Sequence, residues 1–218
     1  MPDLISEKDR AFLQKVFSDR LRKPVTLLFF TKPEECKYCS EMRGFLQELV
    51  ALSDMLTVEE HDLVKDAEVA RKHGIDKAPA IKLRGERDYG VRYFGIPAGY
   101  EFVALVEDII DVSWGTADLP PKAMELVLGI SRPVHLQVFV SPTCPYCPRA
   151  VRAAHKFAIL NELITADMVE VTEFPEVAAR YEVQGVPKMV ANGTSSLVGA
   201  LPEVAIAQFA AFAADRKA

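Results

Sequence analysis

The four cysteines of this 218-residue chain fall into two pairs of the same spacing, Cys36-Lys37-Tyr38-Cys39 and Cys144-Pro145-Tyr146-Cys147. Two thiols separated by two residues can close a small ring disulfide that is opened and remade by exchange. The same spacing also holds zinc, so the flanking residues must decide. Each pair follows an apolar, β-rich run, at 25–30 in the first case and 134–140 in the second, and each precedes a helical pattern. After the second pair, Val151, Ala154, His155, Ala158 and Ile159 recur at three- and four-residue intervals, which gives a helix one face to bury. Zinc ribbons separate their cysteine pairs by about 15–20 residues, whereas a whole domain separates Cys39 from Cys144. No metal site is expected.

A sulfur where a strand feeds a helix meets free amide N–H groups and the positive end of the helix dipole, both of which favour its thiolate. Cys36 and Cys144, at the expected helix starts, are therefore the candidate nucleophiles. Cys39 and Cys147, about one turn further in by the 3.6-residue helical repeat, are the candidate resolving thiols. Pro145 suits a first helical turn, where its missing N–H costs nothing. Together with Tyr38 and Tyr146 it is expected to shape the rim of the sites.

A proline stands 40 residues after the second cysteine of each pair, Pro79 after Ala78 and Pro187 after Val186, and each is followed by a strand pattern. An X-Pro bond is the one position where the cis form is cheap, about 0.5–1 kcal/mol. A cis bond here is expected to turn the backbone of Ala78 or Val186 outward, so that an extended polypeptide can pair with it beside the cysteines.

The elements that hold these groups recur. Cys36 and Cys144 are 108 residues apart, as are Pro79 and Pro187, so the chain reads as two similar α/β units in tandem. The first runs helix, strand at 25–30, helix to about 52, strand at 56–62, helix at 66–73, a hairpin of 80–83 with 91–94 turning at Gly85, and helix at 100–112. The second runs helix at 122–129, strand at 134–140, helix at 145–163, strand at 168–173, helix at 175–182, a hairpin turning at Asn192-Gly193, and helix at 202–214. Glycine and proline at 115–121 place the boundary near Ala117, giving units 1–117 and 118–218.

Net charge is −5, from 26 basic and 31 acidic residues without a basic cluster, which argues against a nucleic-acid partner. The N-terminal 21 residues are charged and amphipathic, and no apolar run approaches membrane-spanning length. The expectation is a cytoplasmic protein. Glu34 and Glu35 could raise the pKa of Cys36 by repulsion. Glu60 or Asp62, and Glu170 or Glu173, lie on strands from which an acid could assist a resolving thiol, but a solvent-facing role is expected for them. The four histidines show no ligand spacing. Trp114 is expected to pack between the units.

Strand, CxxC, helix, strand, helix, X-Pro hairpin and closing helix is the order of the thioredoxin fold. In tandem, with Cys144-Pro145-Tyr146-Cys147 in the second unit and Phe94-Gly95-Ile96-Pro97-Ala98-Gly99 closing the first, the chain resembles the two-unit, glutaredoxin-like protein disulfide oxidoreductases of archaea and thermophilic bacteria. The resemblance covers nearly the whole chain. It implies two tandem thioredoxin-fold units, each a central mixed sheet flanked by helices, with redox pairs Cys36–Cys39 and Cys144–Cys147 and cis prolines at Pro79 and Pro187. It also implies dithiol-disulfide exchange on disulfide-containing protein substrates, with no bound cofactor and with reducing equivalents from a flavin- and NADPH-dependent thioredoxin reductase. Neither pair has the Trp-Cys-Gly-Pro-Cys arrangement of single thioredoxins. Two alternatives stand beside this reading. One is an electron donor to a peroxiredoxin, like the tandem domain of the alkyl hydroperoxide reductase flavoprotein, although that domain needs only one active pair. The other is a non-catalytic, chaperone-like binding module using the apolar groove beside the prolines.

Overall fold

A computed structural model describes residues 5–216 apart from residues 33 and 35, so the expectation for Glu35 falls outside the described residues. Its elements, in chain order, are α1 (Glu7–Arg20), β1 (Val25–Thr31), α2 (Cys39–Val50), β2 (Leu56–Asp62), α3 (Ala67–His73), β3 (Ala80–Arg84), β4 (Asp88–Phe94), α4 (Glu101–Trp114), α5 (Pro121–Leu128), β5 (Val134–Val140), α6 (Cys147–Leu160), β6 (Ile164–Glu170), α7 (Pro175–Arg180), β7 (Lys188–Ala191), β8 (Ser195–Val198) and α8 (Glu203–Asp215).

The strands form one eight-stranded mixed sheet in the order β2-β1-β3-β4-β6-β5-β7-β8. Each half has the same internal order. β1 is parallel to β2 and antiparallel to β3, as β5 is to β6 and β7. The halves join edge to edge where β4 runs parallel to β6 over Val91–Phe94 and Ala166–Val169. Joining two edges this way removes two rows of unpaired backbone groups from solvent. Because β3 is antiparallel to both β1 and β4, while β4, β6 and β5 are mutually parallel, β1 and β5 point the same way. Both cysteine pairs, which follow these two strands, therefore lie at one edge of the sheet.

One face of the sheet carries a continuous core shared by both halves, built from Phe17, Phe29, Leu46, Leu105 and Ile109 on one side and Val138, Val151, Phe157 and Ile206 on the other. The opposite face is covered by α3 and α7 around Phe30, Phe94, Phe139 and Phe174. A buried polar cluster ties α4 to α6: Asp108 accepts from the Tyr93 hydroxyl and from Arg152, and its Oδ2 lies 2.6 Å from His155 Nδ1. Burial lowers the pKa of this histidine to about 3, so the ring is neutral.

The local chemistry explains most boundaries. Ser6 caps α1 by accepting the Asp9 N–H. Asn192 and Gly193 both take positive φ, 51° and 69°, in the β7–β8 turn. Two expected elements shift. The helix expected over 145–163 stops at Leu160, because Asn161 leaves helical geometry and its side-chain amide donates to the Val127 and Ile130 carbonyls at 2.8 and 2.9 Å. That early stop lets β6 begin at Ile164, not at 168 as expected. Phe12, expected in the buried stripe of α1, is 65% exposed. Trp114 does not pack between the halves. It is 47% exposed, its indole N–H donates to Arg20 O, and the Arg22 guanidinium sits 4.8 Å from the ring centre.

Candidate functional site

Each pair is a closed disulfide, Cys36–Cys39 with a Cα–Cα distance of 5.4 Å and Cys144–Cys147 with 5.5 Å. The helices start one step later than the sequence suggested. Cys39 and Cys147 are the first helical residues, while Cys36 and Cys144 sit in the preceding turn, with the Cys39 and Cys147 amides directed at their carbonyls. Cys147 is fully buried and Cys39 nearly so, while Cys36 is half-buried. The helix dipole still acts on both sulfurs, since its field is strongest within the first turn. Pro145 precedes α6, and Pro148 takes the first-turn position instead. Tyr146 is 70% exposed beside Cys147, whereas Tyr38 is half-buried with Lys37 Nζ 4.8 Å from its ring centre.

The Ala78–Pro79 and Val186–Pro187 bonds are cis. Both prolines are buried and open a strand, with Ala78 and Val186 half-buried before them. The carbonyl of each proline accepts from a glycine after the hairpin, Gly95 at 3.0 Å and Gly199 at 2.8 Å. Both glycines have φ above +90°, a conformation only glycine adopts readily. The same loop of the first half reaches the second site: the Tyr100 N–H donates to Pro142 O at 3.3 Å, two residues before Cys144.

A family profile described as the thioredoxin domain matches residues 134–209. A protein disulfide oxidoreductase from Aeropyrum pernix superposes with a TM-score of 0.88 at 28% identity, covering 97% of this chain and 94% of that one. The chain is a thioredoxin-like disulfide oxidoreductase with two CxxC sites. A domain of alkylhydroperoxide reductase from Enterococcus faecalis is similarly close, with a TM-score of 0.87 at 28% identity over 94% of this chain and 99% of that one. Among curated proteins, this oxidoreductase is 27% identical over 180 residues to an alkyl hydroperoxide reductase of Pseudomonas aeruginosa, and 28% identical over 156 residues to an NADH dehydrogenase of Bacillus subtilis. It matches 82% and 71% of its own length there, but spans only 32% and 28% of theirs.

The acids of the oxidoreductase do not sit as the sequence suggested. Glu60 faces solvent and pairs with Arg43 at 2.6 Å, which holds its carboxyl below the usual range. Asp62 accepts the Val64 and Lys65 amides. Glu170 and Glu173, expected at the surface, each hold a buried oxygen without a hydrogen-bond partner. Sequence reading missed Glu101 entirely. It is the first residue of α4 and is buried, neither carboxylate oxygen has a partner, and burial pushes its pKa up to about 8. Helices α4 and α6 each follow one of two parallel strands, so they run parallel, and Asp108 sits level with Arg152 and His155. Two turns back, at about 3.6 residues per turn, Glu101 is level with residues 145–148 at the second cysteine pair. The only sequence signal was an acid directly after Gly99-Tyr100, at the start of an otherwise apolar helix.

A recess of about 530 Å³ adjoins the first pair, between α1, α2 and α4. Phe12, Phe45, Phe102 and Val103 line it, and it shares the 96–99 loop and Glu41 with that site. No helix among the described residues is long and apolar enough to cross a membrane.

Proposed function

We propose that this oxidoreductase exchanges dithiols for disulfides on protein substrates at both pairs. Cys144 attacks a substrate disulfide as its thiolate, forming a mixed disulfide and releasing one substrate thiolate. Cys147 then attacks the Cys144 sulfur, releasing the second substrate thiolate and closing the disulfide. Two electrons pass from the pair to the substrate. Cys36 and Cys39 act in the same way in the first unit, or relay electrons to the second. The substrate chain lies beside Ala78 or Val186, with Tyr38, Pro145 and Tyr146 at the rim, and the units meet near Ala117. Glu101 accepts the proton that Cys147 gives up.

The observation that carries this reading is that each disulfide closes at the first turn of a helix beside a cis proline, twice, on one edge of the same sheet. Insulin reduction tests it: Cys144→Ser and Cys36→Ser variants should each lose turnover, and undiminished turnover by both would overturn it. Reducing equivalents come from a flavin- and NADPH-dependent thioredoxin reductase-like flavoprotein, in the cytoplasm.

The likeness to the alkyl hydroperoxide reductases of Pseudomonas aeruginosa and Enterococcus faecalis favours one second reading, electron donation to a peroxiredoxin. Coupled NADPH oxidation with a peroxiredoxin and peroxide separates the two. Fast peroxide reduction with slow insulin reduction would favour the second.

A further inference from the structure

Glu173 lies between β6 and α7 in the second half, yet its carboxylate is turned toward the first. Its Oε1 accepts the Ile96 N–H at 2.7 Å, and its Oε2 is buried without a partner. Ile96 follows Gly95, whose own N–H donates to Pro79 O at 3.0 Å, so the carboxylate is one residue from the proline loop of the first site. A Cβ placed on Gly95 would meet Glu170 Cβ at 2.7 Å and Glu173 Oε1 at 3.0 Å. Gly95 therefore has to be glycine for this approach to occur. On the other side, Glu41 of α2, two residues past Cys39, is close enough to repel the Glu173 charge. Cys39 and Ile96 belong to one buried cluster, with Cys36 and Ala78 packed against it.

The second site lacks this arrangement. Gly199 makes the equivalent bond to Pro187 O, but nothing lies within 4 Å of its Cβ position. The place beside the proline loop is filled by the other half in one unit and is open in the other.

We propose that Glu173 is the proton acceptor for Cys39, a carboxylate that the second half lends to the redox pair of the first. The inference rests on Cys39 being the resolving thiol. In the mixed disulfide between Cys36 and a bound thiol, the Cys39 S–H passes its proton to Glu173, directly or through one water. The resulting thiolate attacks the Cys36 sulfur and expels the bound thiol as its thiolate. The proton then leaves Glu173 for the departing thiolate or for solvent. The groups acting on this carboxyl are its own burial, which raises its pKa, the Ile96 amide, which lowers it, and Glu170 of β6 and Glu41 of α2, which raise it, to about 7 overall. A carboxyl half-ionised near neutral pH can both take and return a proton.

The test uses the full chain carrying Cys144→Ser and Cys147→Ser, with dithiobisnitrobenzoate as probe. Cys36 forms the mixed disulfide, and the rate of the second thionitrobenzoate release, which Cys39 drives, is followed against pH. A midpoint near pH 7 is expected. Glu173→Gln keeps the acceptor for Ile96 and should slow this release at neutral pH on the order of 10²-fold, the low end for general acid-base catalysis, with the midpoint moving toward the free-thiol value of about 8.5. Glu173→Asp keeps an acid and should retain a midpoint below that of the Gln variant. In the protein with Cys36→Ser and Cys39→Ser, Glu173→Gln should leave the release from the second pair unchanged. An unmoved midpoint in Glu173→Gln, a Glu173→Asp profile matching the Gln variant, or an equal loss at the second pair would overturn the proposal. Because the probe is a small reagent, these outcomes are independent of insulin turnover, whose absence would count against the exchange function alone.

Discussion

Arg92 Nε donates to Asp167 Oδ1 at 2.5 Å, joining β4 to β6 across the seam between the two halves. The same carboxylate holds His135 Nε2 at 2.5 Å through its other oxygen, and Arg92 also donates to Gly74 O at 2.9 Å. Asp167 is 1% exposed, so removing its charge leaves a nearly buried guanidinium without a counter-ion. Asp167→Asn should destabilise by about 3–5 kcal/mol, whereas replacing both partners by apolar residues of similar volume should cost far less. Burial works against the Asp167 charge, but Arg92 and His135 outweigh it and hold the pKa below the usual carboxylate value. Its contribution is therefore present above the ordinary carboxylate range and is lost as pH falls through the lowered pKa. Urea denaturation against pH checks both points: the variant should lose stability less steeply in acid than the parent.

Glu101 titrates in the opposite sense. Its folded pKa of about 8 lies above the ordinary 4.5, so between these values the native state holds a proton that the unfolded chain has released. Stability must then fall as pH rises across that window. Glu101→Gln removes this slope, and the variant should gain on the parent with rising pH by about 1.4 kcal/mol per pH unit at most. Thermal or urea unfolding at mildly acidic and mildly alkaline pH measures the difference. An advantage that did not grow with pH would show that the carboxyl is ionised in place.

Gly99 carries the contact between the first half and the second site. Its φ is +61°, and a Cβ there would lie 2.3 Å from Pro142 O. Gly99→Ala should cost about 1–2 kcal/mol for the left-handed backbone alone. It should also push the 96–100 loop away from the turn that leads to Cys144. In protein lacking the first pair, the alkylation rate of reduced Cys144 should change in this variant, and an unchanged rate would show that the contact has no bearing on that sulfur.

The burial of the sulfurs orders their reactivity. After reduction, Cys36 and Cys144 should alkylate well before Cys39 and Cys147, since reagent must reach the sulfur and the latter are the less exposed member of each pair. With Cys147→Ser, a mixed disulfide between Cys144 and a protein substrate should accumulate on non-reducing gels. With Cys144→Ser it should not.

The elements were legible because their signals are local. Alternating apolar runs mark β1 and β5, the helical repeat after Cys147 marks α6, and Asn192-Gly193 marks a turn through the backbone angles it tolerates. The errors arose where a distant group decided. The end of α6 depends on Asn161 finding carbonyls near α5, and the side of the fold on which Trp114 rests depends on Arg20 and Arg22.

The amino-acid sequence by itself determined the chemistry and its duplication: two thiol pairs at exchange spacing, each ahead of a helix and each matched to a proline at the same separation, because such spacings survive any arrangement of the rest of the chain. Only the tertiary structure decided which groups surround each sulfur. Pairing β4 with β6 brings Glu173 of one half to Gly95 of the other, and the parallel run of α4 and α6 brings Glu101 level with the second pair. Those carboxyls are unusual because they are desolvated, and desolvation is a property of the assembled neighbours that no run of residues carries.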